Sequence, residues 1–307
     1  MNPTASVRIG VVVIAALVPY ARGLSNPWVW DDRVVLGKRL APEHCSGLGA
    51  VWRQPYWGNV GLPDTYRPLS LSMIYLEERA FGNAVIPYHI VSRMLHLAVC
   101  LLIMRVFGRL AGKTVGWSCA LLFAVHPVHA EAVAMVYGQL EMISAIFMLM
   151  AIGFYVDSLK HSFRPVLFAM AVVSGACAAC SKESGLMLPA LLILVRATWM
   201  VGDGDLRART RIFFQGIGKD SLFIVAAVPY LFLRYQALGG LTPAPEATVT
   251  LGYTFGMRTG RLRLEVVCLK GFTLIRTRII GHFGPVRSRK SLICMRFRSC
   301  NRPGYED

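Results

Sequence analysis

Charged residues are scarce in this chain of 307 residues: they make up 16% of it, whereas hydrophobic residues make up 55%. Soluble domains carry about 25% charged residues. The scarcity of charge comes with long apolar stretches, which excludes a single core surrounded by water. The composition therefore indicates an integral membrane protein.

Three further features are missing from the sequence. It has no Asn-x-Ser/Thr acceptor for glycosylation and no tandem repeat of about 20–50 residues. Its eight cysteines form no disulfide framework. Cys177 and Cys180 have the spacing of a redox or metal motif, but they lie within an apolar stretch, where packing of small residues is the favoured interpretation.

Apolar stretches long enough to cross a bilayer recur through the first 240 residues, and they predict an all-α polytopic membrane protein. About seven spans are expected, at 8–24, 86–107, 113–129, 139–157, 165–181, 185–201 and 220–238. The sequence HPVHAE (126–131) interrupts the third span. A helix that breaks there leaves polar backbone that must face protein or a water-filled cavity.

The distribution of Lys and Arg between the short loops predicts the orientation. The loops 105–114, 157–165 and 207–219 are basic, whereas residues 126–141 contain neither Lys nor Arg. The basic loops are therefore assigned to the cytosol, together with the N-terminus, and residues 25–85 to the opposite side. A cleaved signal peptide is the alternative for the first span, but Arg8 alone is a weak basic leader, so a retained anchor is favoured.

Two adjacent carboxylates, Asp31 and Asp32, follow the first span. They come directly after Trp28 and Trp30, near the start of the first long loop. Carboxylates at a membrane boundary are costly to desolvate and are rarely without a role. The pair suits a general base whose neighbour is hydrogen-bonded. A helix cap or a solvated loop pair is the alternative that the spacing leaves open.

Two cations lie on the same predicted side. Arg67, in YRPL, can hold a phosphate through its planar set of donors, or it can extend to lipid headgroups. Lys182 and Glu183 lie in the turn SKESG, and a cation on this side departs from the positive-inside trend. Lys182 is either a contact for a phosphate-bearing lipid or one half of an ion pair that caps the helical hairpin.

Histidines mark two further places. His126, His129 and Glu131 are expected to line an aqueous cavity, because His-x-x-His supplies two metal ligands without an evident third. The side chains of His89, Arg93 and His96 share one face of the second span, at positions i, i+4 and i+7. Polar residues on one face within lipid are expected to point into the bundle.

Five motifs occur in an order and spacing that resemble a known family: WVWDD, YWGN…YRPLSLSMIYLE, YHIVSRMLH, ALLFAVHPVHAEAVAMVYGQLEMISAIF and CSKESG. Over roughly residues 10–240 the chain resembles the membrane half of the transmembrane and tetratricopeptide-repeat O-mannosyltransferases. That resemblance implies a GT-C-like helix bundle. It also implies a glycosyltransferase of the endoplasmic reticulum membrane that uses a dolichyl-phosphate sugar donor.

The resemblance also implies roles for individual residues. Asp31 would be the catalytic base, oriented by Asp32, and Arg67 and Lys182 would contact the donor phosphate. The cavity would be completed by His126, His129, Glu131 and Glu183. The sugar would be mannose, transferred to Ser or Thr hydroxyls of lumenal proteins, with no metal and no cofactor besides the lipid-linked donor as substrate. Membrane lipids would be the other partners, and no binding of nucleic acid is expected.

Members of that family usually continue through more spans into lumenal repeats. Here we expect an anchor (1–24), a lumenal catalytic loop (25–85), a bundle of about six spans (86–239) and an atypical tail (240–307). From Leu251 onward the chain has twelve Lys or Arg against three Asp or Glu. A shifted reading frame or a retained intron would give such a tail, which we expect to be non-native or disordered; a basic tail that binds anionic lipid is the alternative.

A second class of function stays open at this point. A non-catalytic membrane scaffold, or a transporter whose polar residues line a pathway, would carry a similar set of buried polar side chains. The sequence shows no inverted hydropathy symmetry, which argues mildly against a transporter.

Overall fold

The computed structural model describes residues 3–29, 31–36, 47–57, 65–159, 163–200 and 206–240, and the backbone of 250–257, 260–269 and 272–280. These residues fall into two units, which are described separately. The first unit comprises 1–56 and 66–237, and the second comprises 57–65 and 238–307. All the candidate site residues belong to the first unit.

The first unit is helical, which confirms the all-α prediction for the bundle. Its helices are α1 (Pro3–Leu17), α2 (Asp31–Val34), α3 (Leu48–Val51), α4 (Pro68–Phe81), α5 (Val85–Leu110), α6 (Lys113–Val125), α7 (Ala130–Ala134), α8 (Gln139–Leu159), α9 (Pro165–Ser181), α10 (Leu188–Val195) and α11 (Leu206–Leu238). Short 3-10 turns cover Val18–Gly23, Pro127–His129 and Glu183–Met187, and a π-helical turn covers Arg196–Met200.

A helix lies at every predicted span, and the chain is a multi-pass membrane protein. In the described part of the chain, four stretches are long and apolar enough to cross a bilayer: Ala5–Gly23, Val85–Leu110, Gln139–Leu159 and Gly218–Leu238. The helices α6 and α9 are apolar but shorter. The α10 helix is shorter still and continues into the π-helical turn.

The predicted break in the third span is present, and its geometry explains it. The α6 helix ends at Val125, and the next turn contains Pro127, which has no N–H to donate. The Val128 N–H bonds to Nδ1 of His126 instead of continuing the helix (3.2 Å). Nε2 of His96 lies within hydrogen-bond distance of the carbonyl oxygen of Ala124, at 3.3 Å. A polar side chain of α5 thus satisfies backbone that the break exposes.

Among the residues that the structure describes, two clusters of buried apolar side chains pack the helices of the bundle together. The first joins α1, α5, α6 and α8, with Val12, Val99 and Ala120 buried at its centre. A Cβ added at Gly116 would lie 2.4 Å from the backbone of the preceding α5 helix, so glycine permits this close approach. The second cluster joins α8, α9, α10 and α11.

Ion pairs connect the helices at the end of the bundle that carries the basic loops. Arg109 of α5 pairs with Asp157 of α8. Arg196 donates to Oδ1 of Asp220 (2.9 Å), and the Tyr155 hydroxyl donates to the same oxygen (2.7 Å). These contacts connect α8, the π-helical turn and α11.

The second unit contains three strands, which the sequence did not predict. They are β1 (Thr250–Met257), β2 (Gly260–Leu269) and β3 (Phe272–Ile280), and they form an antiparallel sheet in the order β1-β2-β3. In the register, Glu265 of β2 lies between Gly252 of β1 and Arg276 of β3. The four proposed parts of the chain, and a non-native origin for residues 240–307, stay predictions.

The orientation also stays a prediction, and single cysteines test it. His126 and Lys113 are both exposed and lie at opposite ends of α6: Lys113 is its first residue and His126 follows its last. In a background with all eight native cysteines replaced by Ser, we expect His126→Cys to react with an impermeant maleimide only from the lumenal side of sealed vesicles, and Lys113→Cys only from the cytosolic side. The reverse pattern would overturn the topology. Cys45 itself lies outside the described residues.

Candidate functional site

The two adjacent aspartates, at the start of α2, have different surroundings. The Asp32 carboxylate is 2% exposed and accepts two backbone hydrogen bonds, from the N–H of Tyr137 to Oδ1 (2.7 Å) and from the N–H of Val136 to Oδ2 (3.2 Å). It therefore ties the loop after α1 to the turn that precedes α8. Asp31 is only partly buried, so its carboxylate is accessible to a solute.

Burial raises the pKa of both carboxyls. For Asp32 the backbone donors of Tyr137 and Val136 oppose the effect of burial, because they stabilise the charged form. For Asp31 the negative charge of Glu131 adds to it. A raised pKa makes the accessible carboxylate of Asp31 a stronger base than an ordinary aspartate.

The polar face of α5 holds the chain segment that leads to these aspartates. Arg93 donates through Nε and Nη2 to the carbonyl oxygen of Tyr20 (3.0 and 2.7 Å) and through Nη1 to that of His89 (2.6 Å). Nε2 of His89 lies 3.0 Å from the carbonyl oxygen of Asn26. His89, Arg93 and His96 are all buried, which confirms the prediction of an inward polar face.

Arg67 lies just before α4, and side chains surround it on several sides. Its Nε donates to Oε2 of Glu183 (2.9 Å), and its Nη1 donates to the hydroxyl of Tyr137 (3.0 Å). The guanidinium also lies 5.4 Å from the ring centre of Tyr56. Burial lowers the pKa of Arg67, but Glu183 and Tyr137 outweigh that effect and raise it overall. Arg67 is thus a fixed, permanently charged group.

Glu183 is shared between two arginines. Its Oε1 accepts from Nη1 of Arg234 in α11 (3.3 Å), while Oε2 accepts from Arg67. The same helix is tied to the loop by Tyr230, whose hydroxyl donates to the carbonyl oxygen of Tyr66 (3.1 Å). The last helix of the bundle therefore contributes to the site.

Lys182 pairs with Glu141 of α8. Burial and the neighbouring charge of Arg67 lower the pKa of Lys182. We call these five residues the cationic cluster: Arg67, Glu141, Lys182, Glu183 and Arg234. It carries three positive and two negative charges, so it retains one positive charge in excess for an anionic group.

A cavity of about 440 Å3 lies beside the cluster, between α5 and the segment that runs from the end of α6 into α8. Its apolar wall includes Val99, Val133 and Met142, and its polar groups include His129 and Glu131. Glu141 of the cationic cluster lines it as well, and so does Tyr137, whose backbone N–H bonds the carboxylate of Asp32. Burial and the nearby His126 lower the pKa of His129, which favours the neutral imidazole.

The structure brings most of the predicted residues together, with two exceptions. His126 is exposed, and its ring accepts the Val128 N–H instead of lining the cavity. Glu183 belongs to the ion-pair cluster and does not line the cavity. Within the residues that the structure describes, no group of three or more His, Cys, Asp or Glu side chains is placed to hold a metal ion.

Three residues of the site were missed by the sequence reasoning: Tyr137, Glu141 and Arg234. Glu141 carries a signal, since it is a lone carboxylate in the first turn of an apolar helix. Arg234 also carries a signal, because like Lys182 it is a cation on the predicted lumenal side, where the positive-inside rule expects few. Tyr137 has no such signal, because a tyrosine near a membrane boundary is common.

The fold and the site define a polytopic α-helical membrane protein in which a carboxylate loop and a cationic cluster meet beside a cavity. Among curated proteins, the chain is 24% identical over 275 residues to mouse "Protein O-mannosyl-transferase TMTC4", covering 76% of the chain and 37% of that protein. It is 30% identical over 203 residues to human "Protein O-mannosyl-transferase TMTC4", covering 57% of the chain and 27% of that protein. It is 29% identical over 190 residues to mouse "Protein O-mannosyl-transferase TMTC3".

These matches confirm that the chain is related to the transmembrane and tetratricopeptide-repeat O-mannosyltransferases, over their membrane half. The chain spans only 20% to 37% of the length of these relatives. No protein-family model matches the sequence. No solved structure matches it either, so the GT-C likeness rests on the motifs alone.

Proposed function

We propose that the chain is the membrane portion of a glycosyltransferase of the endoplasmic reticulum, which moves mannose from dolichyl phosphate to Ser or Thr hydroxyls of lumenal proteins. The observation that carries the proposal is a continuous set of contacts. Asp32 bonds the backbone of Tyr137, the hydroxyl of Tyr137 bonds Arg67, and Arg67 pairs with Glu183. These contacts support our assignment of the carboxylate pair and the cations to one site, as transfer from a lipid phosphate requires.

The reaction divides between the two halves of the site. Asp31 accepts the proton of the acceptor hydroxyl while the oxygen of that hydroxyl forms a bond to the anomeric carbon of the sugar. The bond between that carbon and the phosphate oxygen breaks, and its electron pair leaves with the dolichyl phosphate. Arg67 and Lys182 stabilise the negative charge on the departing phosphate, where prearranged cations are most effective. The products are a mannosylated side chain, dolichyl phosphate and a protonated Asp31.

Asp32 orients the loop that carries Asp31. Because Asp32 is buried and both of its carboxylate oxygens already accept a backbone N–H, we assign the role of base to Asp31. His129 and Glu131 line the cavity in which the sugar and the acceptor would meet, and the apolar wall of that cavity would disfavour water. Exclusion of water matters because water competes with the acceptor hydroxyl for the sugar.

Donor binding tests the proposal without requiring turnover. A dolichyl-phosphate analogue with a photoreactive group is crosslinked to the full chain in membranes, in the presence of competitors. We expect dolichyl-phosphate mannose to suppress the crosslink and a nucleotide-linked mannose at the same concentration to leave it unchanged. Equal suppression by both, or crosslinking that neither suppresses, would reject a lipid-phosphate donor and favour the scaffold or transporter interpretation.

A further inference from the structure

Tyr137 is the residue at which the aspartate loop and the cationic cluster meet. Its backbone N–H donates to Oδ1 of Asp32 (2.7 Å), and its hydroxyl accepts from Nη1 of Arg67 (3.0 Å). These two partners are 35 residues apart in the sequence, and Tyr137 lies about 70 residues beyond the second of them. One side chain and its own peptide group therefore connect the two halves of the site.

The ring of Tyr137 takes part in the same arrangement. It packs edge-to-face on the ring of Tyr56 with 6.0 Å between the ring centres, and the guanidinium of Arg67 lies over that Tyr56 ring at 5.4 Å. Arg67 is therefore held by a hydroxyl, by an aromatic face and by the Glu183 carboxylate. Tyr137 also lines the cavity next to Glu141.

Glu183 alone cannot fix the orientation of Arg67. That carboxylate is shared with Arg234, and a single bond to Nε leaves the guanidinium plane able to turn about it. The Tyr137 hydroxyl binds a second nitrogen, Nη1, and two fixed points define the plane. Among the described residues the hydrogen bonds of Arg67 use Nε and Nη1, and none uses Nη2. We therefore assign Nη2 as the contact for an anionic group.

We propose that Tyr137 is a positioning residue that orients the Arg67 guanidinium toward the donor phosphate and keeps it in register with the aspartate loop. This inference rests on the proposed function, because it assigns Arg67 to the phosphate of a lipid-linked donor. It predicts that Tyr137 acts on donor affinity through Arg67. A residue that only stabilised the fold would have no such selective effect.

The test is Tyr137→Phe in the full chain, because this change keeps the ring and the backbone N–H and removes only the hydroxyl. We expect the KM for the lipid-linked donor to rise about tenfold, the equivalent of one hydrogen bond to a charged group, with a smaller change in kcat. We also expect the double variant with Arg67→Lys to cost no more than Arg67→Lys alone, because residues that act through one another are not additive. Full additivity, or an unchanged donor KM, would overturn the inference.

A readout without donor separates this inference from the proposed function. The rate at which phenylglyoxal modifies Arg67, followed by mass spectrometry, should rise in Tyr137→Phe, since the guanidinium loses one of its fixed points. An unchanged rate would overturn the role of Tyr137 even if transfer occurs. Absence of donor crosslinking in the unmodified chain would reject the proposed function even if the rate rises.

Tyr155→Phe is the matched control, since the hydroxyl of Tyr155 also accepts from an arginine, Arg196, but at the other end of the bundle. We expect it to lower thermal stability and to leave the donor KM and the Arg67 modification rate unchanged. If Tyr137→Phe fails to fold, 4-fluorophenylalanine at position 137 fills nearly the same space as tyrosine and has no hydroxyl to accept from Arg67. The same rise in donor KM is then expected, and its absence would count against the inference.

Discussion

Replacing Asp31 by Asn is expected to reduce transfer by about 10²–10⁴-fold, which is the contribution of a positioned general base. The amide cannot accept the proton of the acceptor hydroxyl. Asp31 is partly exposed, and no described contact of its carboxylate holds the fold, so stability should change little. The measurement is initial transfer rate in membranes, with thermal stability of the purified protein followed in parallel. Near-normal turnover in a folded Asp31→Asn variant would exclude Asp31 as the base.

Asp32→Asn is the matched comparison. Its side chain would place an NH2 group against one of the two backbone N–H donors of Val136 and Tyr137, which leaves a buried donor unsatisfied at a cost of about 1–3 kcal/mol. We therefore expect Asp32→Asn to lower stability and transfer together, whereas Asp31→Asn lowers transfer alone. A loss of stability in both variants, or in neither, would contradict the division of roles.

The pH dependence of transfer follows from the raised pKa of Asp31. The base must be ionised to accept a proton, so transfer should fall as the pH is lowered through the pKa of Asp31. Because burial and Glu131 raise that pKa, the fall should begin at a higher pH than for an ordinary aspartate. Glu131→Gln removes the repulsion and should move the acid limb of the profile to lower pH.

Arg67→Lys is expected to raise the KM for the lipid-linked donor about tenfold, although the charge is kept. Lysine has a single nitrogen and cannot bind Glu183, the Tyr137 hydroxyl and a phosphate in one plane. The loss should appear in the donor dependence, and the KM for the acceptor peptide should change less. Donor titrations at saturating acceptor provide the measurement.

Arg79→Lys is the control for this variant, since Arg79 lies in the last turn of α4 and is exposed. It should leave both KM values unchanged. A donor KM that is the same in Arg67→Lys as in the unmodified chain would reduce Arg67 to a structural ion pair with Glu183.

The helices could be predicted from the sequence because bilayer thickness imposes long apolar stretches, and each predicted span coincides with a helix. The lengths of the individual helices could not be predicted from the sequence. The α6 helix ends at Val125 because His126 binds the next backbone N–H and Pro127 has none, and this depends on local geometry. Whether α9 and α10 cross the bilayer alone depends on packing that hydropathy does not report.

The membership of the site could be predicted only in part. Arg67 and Lys182 stand out because Lys and Arg are depleted in the loops that are predicted to be lumenal, and Asp31 stands out because it is a carboxylate next to a predicted span. The roles of Asp31 and Asp32 could not be separated from their adjacency, because the difference arises from a turn at 136–137 that is about a hundred residues away. The bridging position of Tyr137 is a property of the packed bundle, and no local pattern marks it.

The central claim is that one site joins the carboxylate of Asp31 to the cationic cluster in order to transfer a lipid-linked mannose to a hydroxyl. The most direct measurement reconstitutes the purified full chain in vesicles with dolichyl-phosphate mannose and a Ser/Thr-containing acceptor, and follows the acceptor by mass spectrometry. The account predicts addition of one hexose to a Ser or Thr, dependent on the lipid-linked donor and abolished by Asp31→Asn. An acceptor that stays unmodified by the folded, correctly oriented chain, or that is modified equally by Asp31→Asn, would contradict it.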